Sequence, residues 1–213
     1  MADEDPGPVV RLTRMEAFSD GVFAIAITLL VLEIAVPAGS EGHLLSAVLR
    51  LWPSYLAYVV SFATIGATWL GHSSITHYMH GANTAFLRLN LALLLVVSFL
   101  PFPTKLLAEF LESRDDEKVA ATIYGGTLLA VTLLLSVLWG QAVRHQLVHP
   151  TAGDEEITLL SRRLRPSLAL YLVLIVVGWF IPLVAVIGYL VVAFFLIFPL
   201  HLRRRTKSER GVT

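Results

Sequence analysis

Apolar residues run along this chain in long blocks, and polar residues gather where the blocks end. A helix that crosses a bilayer needs about 20 mostly apolar residues, because its backbone must satisfy its own hydrogen bonds there. The pattern predicts such spans over roughly 15–36, closed by Pro37, then over 52–74, 85–108 and 119–143. The last apolar region, 168–202, is too long for one span and divides at Pro182 into two that form a tight hairpin. The fold class expected is an all-α integral membrane protein with six transmembrane helices. It has a segment over 1–14 before the membrane domain, 15–202, and a basic tail over 203–213.

Shorter patterns fill the gaps. Leu44, Leu45, Val48 and Leu51 recur at helical spacing beside Glu41 and Arg50, which predicts a short amphipathic helix, either a connector or one lying at the membrane interface. The stretch 144–165 is polar, with Asp154, Glu155 and Glu156 ahead of Arg162, Arg163 and Arg165, and reads as a solvated loop containing some helix.

Composition agrees with a bilayer as the solvent: 56% of the 213 residues are hydrophobic, 15% are charged, and the mean hydropathy is +0.73. Basic and acidic residues number 16 each, so no surplus charge points to nucleic acid. Their distribution says more. Six spans place Arg11, Arg14, Arg88, Arg144, Arg162, Arg163, Arg165, Arg203, Arg204, Arg205, Lys207 and Arg210 on one side, and Arg50, Lys105, Arg114 and Lys118 on the other. Cytoplasmic loops carry the Lys and Arg excess, so both termini are expected in the cytoplasm and the protein in the cell membrane as a multi-pass chain. With no cysteine, disulfides, thiolate metal sites and thiol catalysis are excluded.

The first span carries the candidate chemistry. Gly21 to Leu32 followed by Val36-Pro37-Ala38 has the outline of a signal peptide, but Glu16, Asp20 and Glu33 interrupt it and favour a retained span. At about 100° per residue, Ile25, Leu29, Leu32 and Val36 form one stripe with Gly21 and Thr28 at its margin. Asp20 points almost oppositely and, with Phe23, Ile27 and Val31, is expected to face other helices. An acid inside a membrane is a functional candidate by default, but Ser19 or Asp20 can equally cap the start of this helix. If the stripe lines a pore, Asp20 is scaffold; if Asp20 meets a transported ion, the stripe faces lipid.

The run Arg14-x-x-x-Phe18-Ser19-Asp20, continued by Gly21 to Leu32, resembles the signature of the transmembrane protein 175 family, whose animal members are lysosomal potassium channels. The resemblance continues through Trp69 and His72, Asn90 and the stretch Leu100-Pro101-Phe102-Pro103-Thr104, covering about the first half of the chain closely. A single six-span unit resembles the prokaryotic branch. It implies a homotetramer conducting potassium ions, with the first spans around the pore and a constriction on Ile25, Leu29 and Leu32 with Thr28 close by. No Thr-Val-Gly-Tyr-Gly carbonyl filter is present, so selection would rest on apolar side chains that make an ion shed water.

The remaining polar residues read more plainly. Arg14, Asp20, Trp69, His72 and Asn90 lie at similar depth and suit a hydrogen-bonded cluster fixing helix packing, alongside the motif residues Phe18 and Ser19. A proton-coupled transporter relaying protons through Asp20 and His72 is the alternative from another class. His72, His77 and His80 lack metal-ligand spacing, and no cofactor is expected. Glu109, Glu112, Asp115, Asp116 and Glu117 read as a solvated rim, and Arg203 to Lys207 as an anchor touching lipid headgroups. No phosphate loop, nucleophile elbow or catalytic carboxylate pair stands out, so an enzyme is not expected.

Overall fold

The computed structural model describes residues 12–111, 113, 116–149 and 154–198, with the side chains of 154–165 outside that description. Arg11, Glu112, Arg114, Asp115 and the basic tail also lie outside it, as do the side chains of Arg162, Arg163 and Arg165. Within the described residues the chain is helical: α1 (Leu12–Leu29), α2 (Leu44–Arg50), α3 (Trp52–His77), α4 (Thr84–Phe99), α5 (Pro101–Phe110), α6 (Glu117–Arg144), α7 (Asp154–Phe180) and α8 (Pro182–Ile197). A 3-10 turn, Leu30–Glu33, continues α1.

Among the described residues, three helical stretches are long and apolar enough to cross a membrane: Leu12–Glu33, Thr84–Phe110 and Glu117–Arg144. Leu44–Arg50 with Trp52–His77 makes a fourth if the pair, bent by 46°, is one span. The apolar parts of the last two helices, Pro166–Phe180 and Pro182–Ile197, are shorter.

Local chemistry sets the boundaries. The Asn83 side chain accepts from Phe86 N–H at 2.8 Å, capping α4. Proline at 101 removes the N–H that would bond the Val97 carbonyl, and Leu100 N–H takes that oxygen instead at 3.1 Å, so α4 passes into α5 through a tightened turn. Ile181 is extended at φ −138°, as the residue before a proline prefers, and Pro182 opens α8.

The expected hairpin of the last two helices is present and is packed by small residues. A Cβ built on Gly178 would meet Ala185 Cβ at 3.2 Å, and one on Gly188 would collide with Leu174, an antiparallel pairing around Ile181. At its other end α7 extends the expected loop with some helix: the helix starts at Asp154 and runs on through Pro166. The α2 helix forms where its pattern predicts, with no buried residue.

The core takes buried residues from α1, α3, α4, α5, α6, α7 and α8, and part of it is polar. Tyr124 hydroxyl donates to Ser61 Oγ at 2.9 Å, Ser61 donates to Thr104 Oγ1 at 2.7 Å, and Thr104 donates to the Leu100 carbonyl at 2.8 Å. Each hydroxyl has one hydrogen to give, so the last bond fixes the direction of the whole chain. Tyr171, Tyr189 and Tyr124 stack alongside, with ring centroids 6.0 and 5.8 Å apart. At the end of the molecule near His77, the α3–α4 turn and the α6–α7 linker form a single antiparallel bridge, Met79 to Val148. His80 N–H bonds Leu147 O at 3.0 Å and His149 N–H bonds Tyr78 O at 2.8 Å.

Candidate functional site: the two faces of the first helix

α1 divides sharply by burial. Met15, Ser19, Phe23, Ala26 and Leu30 are buried and follow one helical line. On the opposite line Phe18, Ile25, Leu29 and Leu32 are exposed, the last three at 61%, 41% and 70%. The expected stripe is therefore free, except at its end. The helix tightens at Leu30 and gives way to non-helical chain after Glu33, so Val36 is exposed but lies beyond the helix on which the stripe was drawn. Val31, expected to face other helices, is instead 52% exposed, whereas Phe23 is buried and Ile27 half-buried.

The buried line is held by two sets of polar contacts. Asn90 on α4 donates through Nδ2 to Ser19 Oγ at 3.0 Å, and its Oδ1 lies 2.8 Å from His72 Nε2 on α3. An amide oxygen only accepts, so Nε2 carries the hydrogen. All three residues are buried, and the Phe23 ring lies against the His72 ring with centroids 5.6 Å apart. One amide thus joins three helices, α1, α4 and α3. Separately, Trp69 Nε1 donates to Asp20 Oδ1 at 2.8 Å, a second strap between α3 and α1 at the exposed edge of the packing. Of the residues expected in this cluster, Ser19, Asp20, Trp69, His72 and Asn90 assemble. Arg14 is exposed and, among the described residues, makes no hydrogen bond or ion pair with them.

Thr28 sits at the margin of the stripe, exposed, with its hydroxyl donating to the Ile25 carbonyl at 2.9 Å. That bond uses the hydrogen and leaves the oxygen with acceptor capacity alone. His77 and His80 are exposed, and no group of three or more potential metal ligands occurs among the described residues. Sequence reasoning did not single out Ser61 and Tyr124, whose only advance signal was a polar residue inside an apolar span.

The family described as "Endosomal/lysosomal potassium channel TMEM175" matches residues 14–101, which include α1 from Arg14 onward together with Trp69, His72 and Asn90. A potassium channel of Chamaesiphon minutus is 44% identical over 164 residues, covering 75% of this chain and 80% of that one. The chain belongs to the TMEM175 family. The TMEM175 homolog crystallised from Chamaesiphon minutus, described as a lysosomal potassium-selective channel homolog, superposes with a TM-score of 0.79 at 40% identity. That match covers 87% of this chain and 95% of the other. The Gallus gallus TMEM175, named an endosomal/lysosomal proton channel, is 35% identical over 164 residues but is covered only to 33% of its length. TMEM175 membership makes this an ion-channel homologue and a membrane protein.

Proposed function

We propose that this protein is a potassium-preferring ion channel of the cell membrane, in which the α1 helices of four identical chains surround the conduction path. Ile25, Leu29 and Leu32 form the apolar constriction, and Thr28 offers oxygen lone pairs beside it. Six spans with both termini in the cytoplasm, framed by 1–14 and the tail 203–213, complete the reading. The observation that carries it is the split of α1: bulky apolar side chains stay uncovered on the face opposite the one strapped by Asn90, His72 and Trp69. A helix pinned this firmly from behind presents its free face at a fixed position. An apolar ring strips water from a passing ion, and potassium gives up water at lower cost than sodium.

Replacing Leu29 or Ile25 with Asn wets the ring. In planar bilayers the potassium-to-sodium permeability ratio should fall. Variants that assemble and conduct with an unchanged ratio would place the constriction elsewhere.

Protons are a second candidate permeant, favoured by the proton-channel name of the Gallus gallus relative. A relay from Asp20 to His72 has less support. Each is committed to a different partner, an indole and an amide, and neither of those passes protons along readily. A reversal potential that follows an imposed pH gradient at constant potassium would establish proton flow.

A further inference from the structure

Lys105 on α5 lies with Nζ 3.8 Å from Glu33 Oε2 at the end of α1, the side chains being 54% and 26% exposed. What brings the carboxylate there is the change of helix type. In a 3-10 turn, residues three apart eclipse, so Glu33 stands directly over Leu30. Leu30 is fully buried, on the line of Ser19, Phe23 and Ala26. Continued α-helical winding would have turned Glu33 about 60° back toward the stripe, since a 3-10 helix advances about 120° per residue and an α-helix about 100°. The tighter winding keeps Leu32 outward while carrying its charged neighbour to the packed side, where Lys105 meets it.

We propose that Lys105 tunes conduction: by neutralising Glu33 and keeping it off the stripe, it sets how strongly the Glu33 end of the pore concentrates cations. The inference rests on the pore reading above, because only beside a conduction path does this carboxylate act on ions. A pair this open and this long contributes little to stability, so Lys105 can be changed without unfolding the chain. Its electrostatic effect is multiplied fourfold in the proposed assembly. One uncompensated carboxylate per subunit rings the mouth when Lys105 is removed, and one uncompensated ammonium does so when Glu33 is removed. Charge rings at a pore mouth enrich or deplete permeant ions locally.

The test is unitary potassium conductance in uncharged lipid, in symmetric solutions, for Lys105→Met, Glu33→Gln, the double variant and Lys105→Arg. In about 0.1 M salt, where charges act over about 10 Å, Lys105→Met should conduct about two-fold more than the natural chain and Glu33→Gln about two-fold less. The double variant and Lys105→Arg should match the natural chain. In about 1 M salt, with the range cut to about 3 Å, the differences should collapse. Single variants that shift conductance in the same direction, or by the same factor at both salt concentrations, would show a mere fastener and overturn the proposal. Leu29→Asn, recorded alongside, separates the two readings: a changed selectivity there with a flat Lys105 series defeats this inference alone.

Discussion

Asn90 holds Ser19 and His72 at once, giving its amide hydrogen to one at 3.0 Å and receiving the other's ring hydrogen at 2.8 Å. Replacing it with Leu keeps roughly the volume but strands two buried polar groups on two different helices. The cost should be about 1–3 kcal/mol for each stranded group, read as a lower unfolding temperature in detergent micelles. Ser19→Ala, which frees only one amide hydrogen, should cost clearly less. Equal losses for the two variants would mean that Asn90 does not bridge the three helices.

Trp69 tests the second strap. Phe at this position retains an aromatic ring and loses the indole donor to Asp20, which should lower stability by about 0.5–1.5 kcal/mol. Asp20→Asn retains an acceptor oxygen and should lose less. If the Asp20→Asn loss is the greater, the carboxylate's charge serves something other than this bond.

Gly125 is fixed by its neighbour across α8. A methyl group there runs into the Tyr189 hydroxyl, which is buried and has no hydrogen-bond partner among the described residues. Gly125→Ala should therefore cost about 1–3 kcal/mol through overpacking. Tyr189→Phe alone should leave the fold as stable or more so, since it deletes an unsatisfied hydroxyl, and it should recover part of the Gly125→Ala loss. Additive effects in the double variant would show that the two positions do not touch.

Much of this arrangement was legible in the sequence because the bilayer imposes a simple pattern. Apolar run length located the three stretches that are long and apolar enough to cross a membrane among the described residues, and helical spacing separated Ile25, Leu29 and Leu32 from Asp20. Intramembrane polar residues at one depth pointed to Asp20, Trp69 and His72 as neighbours, and also to Arg14, which stays outside the cluster. What was hidden depended on contacts between distant residues. The tightening at Leu30 has no local marker, so the stripe was extended to Val36, past the end of the helix. Helical phase alone puts Val31 on the packed face, yet it is 52% exposed. The charge runs over 154–165 suggest a loop with some helix, whereas α7 begins at Asp154 and continues through Pro166. Ser61 and Tyr124 meet across 63 residues of sequence, and nothing near either one announces the other.

The bridge between Met79 and Val148 gives the molecule a mechanical asymmetry. It joins the turn after α3 to the chain that leaves α6, so a torque on α6 can reach α3 and α4 without passing through side-chain packing inside the membrane. Those helices are thereby braced as a frame. Among the described residues α1 has no such main-chain bond to the frame; Asn90 and Trp69 tie it there through side chains, so the position of its free face follows that of α3 and α4.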